Sequence, residues 1–216
     1  MKERRIKTLV PRLVGKGAEA ELYLAEYDGE RAVCKRRVGK KYRIPELDSL
    51  IREERTKREA RILVAVKETG VNCPKLMGIN LYGKEIFMSF VPGVLLREKL
   101  DLIKGKKLEK ILLKMGGDLA RIHSRGVVHG DSTTSNMMLD EKAFELTWID
   151  FGLSEFSSSI EEQATDLLLL KKSVSPQQFV FVKKGYSQNN PIAKNIFARL
   201  DEIEKRGRYV VRSMAR

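Results

Sequence analysis

The chain has few metal-binding or redox-active side chains. It contains two cysteines and two histidines in 216 residues. Cys34 and Cys73 lie far apart, and neither belongs to a Cys-x-x-Cys or Cys–His motif. A disulfide or a zinc site is therefore not expected, and two reduced thiols in the cytoplasm is the simplest interpretation.

Long hydrophobic runs are also missing. Runs such as those within residues 166–170 and 179–182 are far too short to cross a bilayer. The first ten residues carry charge but show neither an apolar signal core nor a small-residue cleavage site. A secreted or membrane-bound protein is therefore not expected, and we predict a cytoplasmic location with no membrane partner.

Basic residues are abundant: 42 Lys and Arg stand against 29 Asp and Glu, a net charge of +13. This excess favours a polyanionic partner, nucleic acid first and an acidic protein second, although a densely charged solvated surface gives the same count. The charge is concentrated in a basic segment, residues 35–43, and a basic tail, residues 205–216. From the tail we single out Arg206, Arg208 and Arg212 as candidate nucleic-acid contacts.

The hydrophobic pattern predicts an α+β chain in two parts. Residues 1–91 read as short strands and one long helix within residues 44–70, with Asp48 or Ser49 as its N-cap and Gly70 as its stop. Residues 92–216 read as mostly helical, and Asn190 and Pro191 are predicted to start the last helix.

Several residues of the first part have the chemistry needed to bind phosphates. In Gly15-x-Gly17-x-x-Ala20, small residues between two predicted strands would let backbone amides approach phosphate oxygens. Lys35 ends the third strand, and Glu59 on the long helix could pair with it. Taken alone, the first motif is as consistent with a plain hairpin turn, and the two charges with a solvated surface.

The segment "VVHGDSTTSNMML", followed by "TWIDFGLSEF", is more specific. Asp131 could orient a nucleophile, while Asn136 and Asp150 offer hard oxygen ligands suited to Mg²⁺. His129 is tempting as a general base, but we interpret it as a ring that packs beneath Asp150 and fixes the loop. His123, on an amphipathic helix, is also interpreted as structural.

These motifs resemble the catalytic loop and the metal-binding Asp-Phe-Gly of protein-kinase-like folds. "HGDSTTSN" and "KKYRIPELDSLIREERTKREARIL" are closer still to the small atypical kinase of the KEOPS (EKC) complex, the Bud family that includes the p-fifty-three-related kinase. The resemblance runs nearly end to end. It implies a minimal bilobal kinase fold, with a strand-rich lobe over residues 1–91 and a reduced helical lobe over residues 92–216.

The resemblance also implies roles for individual residues. Asp131 would be the catalytic aspartate, Lys35 would contact the α- and β-phosphates of ATP and pair with Glu59, and Asn136 and Asp150 would hold Mg²⁺. Asp166 would brace the catalytic loop. The remaining nucleotide contacts would come from the glycine turn and from the end of the fifth strand: Gly15, Lys16, Gly17, Ala18, Met88, Ser89 and Val91.

Some positions depart from the usual kinase pattern. Ala20 replaces the last glycine of the phosphate loop, Ser132 replaces a leucine and Ser89 an acid, while Gly130 stands where regulated kinases have arginine. Only thirteen residues separate Gly152 from Asp166, too few for a folded activation segment with a peptide platform. The prediction is an ATPase with weak Ser/Thr kinase activity, controlled by its partners.

The family resemblance implies which partners these are. They would be KEOPS subunits, chiefly the Kae-type threonylcarbamoyl-transferase and the small Cgi-type subunit, with tRNA contact. The complex would form threonylcarbamoyl-adenosine in tRNAs that read codons starting with A.

Two other classes of protein remain open. One is a RIO-type ribosome-assembly kinase or an aminoglycoside-type small-molecule phosphotransferase, against which "YRIPELD" argues. The other is a pseudokinase scaffold that only binds nucleotide or tRNA. It has little support, because all the phosphate- and metal-binding residues are present.

Overall fold

The structure is a computed structural model that describes the backbone of residues 6–17 and 19–214 and the side chains of residues 12–17 and 19–206. It divides into two compact units. The first contains the chain through Lys67 together with Cys73–Val91. The second contains Glu68–Asn72 and the chain from Pro92 onward.

The first unit is an antiparallel sheet with one long helix, as the sequence predicts. The sheet order is β1-β2-β3-β5-β4, and the Asp28-Gly29 turn joins β2 to β3 with both φ angles positive, as a type I′ turn requires. The elements are β1 (Ile6–Lys16), β2 (Ala20–Tyr27), β3 (Glu30–Arg37), α1 (Pro45–Glu68), β4 (Leu76–Asn80) and β5 (Glu85–Ser89).

The predicted N-cap of α1 was wrong. The helix begins at Pro45, whose fixed φ suits the first helical position, so Asp48 and Ser49 lie inside the helix rather than before it. The Asp48 carboxylate instead accepts from the backbone N–H of Lys40 and pairs with Arg52 at 2.6 Å. Gly70, with φ +76°, follows the end of the helix as expected.

The second unit is mainly helical, with two small sheets in the orders β6-β8-β9 and β7-β10. Short 3₁₀ turns cover Leu100–Leu102 and Thr134–Asn136. The other elements are β6 (Val94–Leu95), α2 (Leu96–Lys99), α3 (Gly105–Ser124), β7 (Val127–Val128), β8 (Met137–Asp140), β9 (Glu145–Trp148), β10 (Glu155–Phe156), α4 (Ile160–Lys172), α5 (Pro176–Asn189) and α6 (Ala193–Met214).

Two glycines let α3 and α5 pack backbone against backbone. A Cβ built on Gly116 would lie 1.9 Å from the carbonyl oxygen of Val182, and one on Gly185 would lie 2.0 Å from that of Leu113. No side chain fits at such distances. This close packing lets α5 support α3, the helix that leads into β7 and the segment after it.

The predicted start of α6 was also displaced. The helix begins at Ala193, and Asn190 and Pro191 lie in the turn before it. The side-chain oxygen of Asn190 accepts from the N–H of Ile192 at 3.0 Å, while its amide donates to the hydroxyl of Tyr186. Asn190 therefore closes the preceding turn. Among the described residues, no helix is long and apolar enough to cross a membrane.

Candidate active site

In the first unit, Lys35 on β3 and Glu59 on α1 are in direct contact. The distance from Lys35 Nζ to Glu59 Oε1 is 2.6 Å, and both side chains are buried. In a site with little water such a pair is held much more firmly than at the surface. This is the pairing that the resemblance to kinases implies for these two residues.

The glycine turn is a tight hairpin turn between β1 and β2. The N–H of Gly17 donates to the carbonyl of Ala20 at 2.9 Å, so this amide is used inside the turn. Gly15 lies within β1 opposite Leu22, and Lys16 forms an exposed pair with Glu21 at 3.4 Å. Ala18 lies outside the described residues.

The end of β5 carries the predicted adenine contacts. Met88 is buried, and Val91 is half-buried. The N–H of Ser89 donates to the carbonyl of Lys75, and the Ser89 hydroxyl accepts from the N–H of Lys75, both at 2.9 Å. Since the N–H of Ser89 is already used, its carbonyl is the backbone group that could meet an adenine amino group.

In the second unit, Asp131 and Asn136 lie on the loop between β7 and β8. The amide nitrogen of Asn136 donates to both the carboxylate of Asp131, at 2.7 Å, and its carbonyl, at 2.8 Å. These two bonds hold the loop closed and fix the orientation of the Asp131 carboxylate. An acid held in this way can orient a hydroxyl or a water for attack on a phosphate.

Asp166 on α4 holds the backbone of this loop through hydrogen bonds. Its carboxylate accepts from the backbone N–H groups of His129 and Gly130, at 2.5 and 2.8 Å, and contacts His123 Nε2 at 3.2 Å. Burial by itself would raise the pKa of Asp166, but the hydrogen bond from His123 and the neighbouring donors outweigh it and lower the pKa. The carboxylate is therefore kept ionised as an acceptor for the loop.

Ser132, a departure from the usual kinase pattern, has a role in the same arrangement. It is fully buried, and its hydroxyl donates to the backbone carbonyl of Asp166 at 2.6 Å. The serine thus ties the loop to α4 by a second bond, which a leucine could not make. The sequence pattern alone does not indicate this bond.

The ring of His129 is packed between aromatic side chains. It lies 4.8 Å from the ring of Phe151 and 5.4 Å from that of Trp148, and its Nδ1 accepts from the N–H of Asp131. Complete burial lowers the pKa of His129, in spite of the nearby carboxylates. A neutral, enclosed imidazole with both nitrogens facing backbone groups supports the structural interpretation of this residue.

Asp150 follows β9 and lies beside Asn136. The N–H of Ile149 donates to the backbone carbonyl of Asn136 at 2.9 Å, which joins the two segments at this point. Asp150 has φ +59°, an unusual conformation for a non-glycine residue, and its exposed carboxylate accepts from the N–H of Gly152. Backbone strain of this kind is concentrated at functional sites.

These residues fit a magnesium ion that is shared with phosphates. Asn136 turns its amide nitrogen to Asp131, so Oδ1 is the end of the amide that could meet a metal, and Asp150 directly follows Ile149, whose N–H is bonded to the Asn136 carbonyl. Mg²⁺ takes one or two protein oxygens and completes its shell with phosphates and water. The described part of the chain contains no group of three or more His, Cys, Asp or Glu placed to hold a metal alone.

The structure explains why residue 130 is a glycine. Its φ is +80°, and a Cβ there would lie 2.5 Å from the carbonyl oxygen of Leu153. The loop runs directly against the segment after Asp-Phe-Gly, so no arginine could stand here. That segment is short and contains only the two-residue strand β10 before α4 begins at Ile160.

The basic segment 35–43 is less available to a polyanion than its composition suggests. Lys35 and Arg37 are buried against Glu59, Arg36 pairs with Glu85, and Arg43 pairs with Asp48. Four of the six cations are thus committed within the unit. In the basic tail, Arg206 pairs with Glu161 at 3.0 Å, and the side chains of Arg208 and Arg212 lie outside the described residues.

Fold and loop together define a kinase-like protein. A solved structure, the Cydia pomonella granulovirus kinase PK-1, matches with a TM-score of 0.52 over 70% of this chain and 52% of that one. At 22% identity this likeness concerns the fold alone.

A model of the RIO domain matches residues 31–188. The KEOPS complex subunit Bud32 of Pyrococcus abyssi is 37% identical, over 94% of this chain and 98% of that protein. The chain therefore belongs to the RIO-domain family of kinase-like proteins and, within it, to the family of Bud32.

Other relatives are longer proteins. A bifunctional tRNA threonylcarbamoyladenosine biosynthesis protein of Methanobrevibacter smithii is 41% identical over 91% of this chain, and one of Methanococcus maripaludis is 38% identical over 92%. This chain spans only 36% of the length of each. The RIO-domain match also shows that RIO-type kinases, considered above as an alternative, share this chain's domain. The motif "YRIPELD" therefore does not separate two unrelated folds.

Proposed function

We propose that this chain is the ATP-dependent kinase or ATPase subunit of a KEOPS-type complex, and that it supports formation of threonylcarbamoyladenosine in tRNA. One observation carries the proposal: the loop of Asp131 and Asn136, joined to Asp150 and held by Asp166. A relative matched along 98% of its length bears the name of that subunit, and the longer relatives bear the name of the modification.

The chain's own residues divide the work. Asp131 orients the acceptor hydroxyl or water and accepts its proton, while Lys35, held by Glu59, neutralises charge on the α- and β-phosphates. Asn136 and Asp150 would hold Mg²⁺, which shields the negative charge of the phosphates. The turn at Gly15, Lys16 and Gly17 would cover the phosphates, and the end of β5 at Met88, Ser89 and Val91 would meet the adenine.

The proposed acceptor is water or a Ser/Thr hydroxyl of a partner protein. The chain from Gly152 to α4 offers no platform for a free peptide, and Gly130 leaves no room for the arginine that would respond to phosphorylation there. Activity would therefore depend on the transferase subunit, on the small Cgi-type subunit or on tRNA. Arg206, Arg208 and Arg212 stay candidates for the tRNA contact.

The test compares ATP turnover by the chain alone, with the partner transferase, and with the transferase and tRNA. We expect a stepwise increase, and loss of turnover in Asp131→Asn and Asp150→Ala. Equal rates in all three mixtures would rule out control by partners. Normal tRNA modification by a reconstituted complex that carries Asp150→Ala would favour a scaffold instead.

A further inference from the structure

A second cation, Arg37, shares Glu59 with Lys35. Both lie on β3 two residues apart, so the strand's alternation turns them to the same face. Arg37 Nη2 lies 2.5 Å from Glu59 Oε2, while Lys35 Nζ lies 2.6 Å from Oε1. Each oxygen of the carboxylate thus faces its own cation. Arg36, between them, points to the other side and pairs with Glu85.

Burial of the Arg37 guanidinium carries a cost in desolvation free energy. Its side chain is 3% exposed, and its Nε is buried without a hydrogen-bond partner among the described residues. A buried guanidinium seldom adds net stability, because desolvation offsets most of the attraction. The planar guanidinium group does, however, fix the orientation of the carboxylate that it binds. Arg37 is therefore placed to hold Glu59 in one orientation.

The other side of Arg37 faces the glycine turn. Its Nη1 lies 3.9 Å from the carboxylate of Glu19, two residues after Gly17, and Arg55 of α1 binds that same carboxylate at 2.6 Å. The hydrogen bond from Arg55 lowers the pKa of Glu19, although partial burial opposes it. The backbone carbonyl of Glu19 accepts from the N–H of Val38, the residue after Arg37. The turn is thus tied to both β3 and α1.

We propose that Arg37 is a positioning residue that sets Glu59 for Lys35, and that Glu19, Arg37 and Arg55 form a latch that couples the glycine turn to the Lys35–Glu59 pair. Closure of the turn and orientation of the phosphate-binding lysine then occur together. The proposal rests on the proposed function only in taking Lys35 as the phosphate contact. The latch itself consists only of the chain's own residues.

The first measurement needs no nucleotide. The N–H of Val38 donates to the backbone carbonyl of Glu19, so hydrogen exchange at Val38 reports opening of the latch. We expect exchange at Val38 to quicken about tenfold in Arg37→Met and Glu19→Gln, and less in Arg37→Lys. Amides of β5, such as Phe87, report unfolding of the whole unit and should change little in Glu19→Gln. Arg36→Met, a neighbouring arginine on the opposite face, is the matched control.

The second measurement is the dissociation constant of ATP with Mg²⁺. Arg37→Met and Glu19→Gln should weaken binding about tenfold, Arg37→Lys should restore part of it, and Arg36→Met should leave it near wild type. Should Arg37→Met fail to fold, Glu19→Gln carries both tests, because it changes a side chain that is only partly buried. If Arg37→Met and Glu19→Gln had the same Val38 exchange rate and the same ATP affinity as Arg36→Met, the latch proposal would be wrong. Absence of ATP binding in the wild-type chain would instead refute the proposed function, and Val38 exchange would still decide the latch.

Discussion

Lys35 in the first unit and Asp131 in the second are held in place by different kinds of interaction. Lys35 is held through side-chain charges, because Glu59 of α1 pairs both with it and with Arg37, two residues further along β3. The loop that carries Asp131 is held through its main chain, since Asp166 accepts the N–H groups of His129 and Gly130 just before it. Lys35 is thus positioned by pairing between charged side chains, whereas the loop of Asp131 is positioned by hydrogen bonds to its backbone.

This difference bears on how each unit can change. A balance of charges shifts when a ligand brings new charge, so the first unit is suited to respond to phosphate. A backbone held by a buried carboxylate keeps its shape until that acceptor is lost. Removing single groups from each network tests the contrast directly.

The largest effect is expected for Asp166→Ala. It leaves the N–H groups of His129 and Gly130 without their acceptor and removes the partner of His123, all in a buried site. We expect the free energy of unfolding to fall by about 3–5 kcal/mol. The chain has a single tryptophan, Trp148, which is fully buried in the second unit, so its fluorescence in a urea titration follows this unit.

Asp201→Ala serves as the control for that measurement. Asp201 is exposed on α6 in the same unit, and its loss should cost no more than about 0.5 kcal/mol. Equal urea midpoints for the two variants would show that Asp166 does not hold the loop.

The first unit should be more sensitive to loss of its carboxylate than to loss of Arg37. Glu59→Gln takes the shared negative charge from two buried cations, and we expect about 3 kcal/mol of destabilisation. Arg37→Met removes one cation and leaves Glu59 with Lys35, so the expected loss is smaller, about 1 kcal/mol. Hydrogen exchange of the β3 amides measures both.

Glu54→Gln is the matched control on α1, because Glu54 is 67% exposed and pairs only at the surface with Lys57. Its effect should stay within about 0.5 kcal/mol. If Arg37→Met proved as costly as Glu59→Gln, the idea of a shared carboxylate would be wrong.

The same contrast explains what could be read from the sequence. The main-chain arrangement lies in a continuous stretch, so "HGDSTTSN" and "DFG" gave Asp131, Asn136 and Asp150 together, and the structure brings these residues together. The strand-rich and helical parts were predicted for a similar reason, since their periodicity is local.

Apart from the Lys35–Glu59 pair, side-chain networks between distant elements could not be predicted from the sequence. Glu19, Arg37 and Arg55 are separated by 18 or more residues, and no local pattern indicates that they meet. The basic segment 35–43 was read as a surface for a polyanion because composition does not reveal which cations face inward. The alternation of β3 was the available signal, as it turns Lys35 and Arg37 to the same side.

A smaller effect is expected where the loop approaches the segment after Asp-Phe-Gly. Gly130→Ala meets both a positive φ and the carbonyl of Leu153, whereas Gly29→Ala in the first unit meets only a positive φ, with nothing within 4 Å. Conformation alone should cost about 1 kcal/mol at Gly29, and the contact should bring the total at Gly130 to about 2–3 kcal/mol. The difference in unfolding free energy between the two variants measures the cost of the contact with the Leu153 carbonyl. Equal costs would mean that the segment around Leu153 can move away from the added methyl group.

The smallest effect concerns protonation of His129. Burial lowers its pKa below the ordinary histidine value, so in NMR spectra of the folded chain its ring resonances should titrate at a lower pH than those of a solvent-exposed histidine. Because the unfolded histidine titrates near 6.5 and the folded one lower, its contribution to stability is complete above about pH 6.5 and declines below it. A resonance of His129 that titrates at or above pH 6.5 would show instead that the ring is open to protons. The backbone of the second unit would then carry a charge-sensitive element like that of the first, and the contrast between the two units would fail.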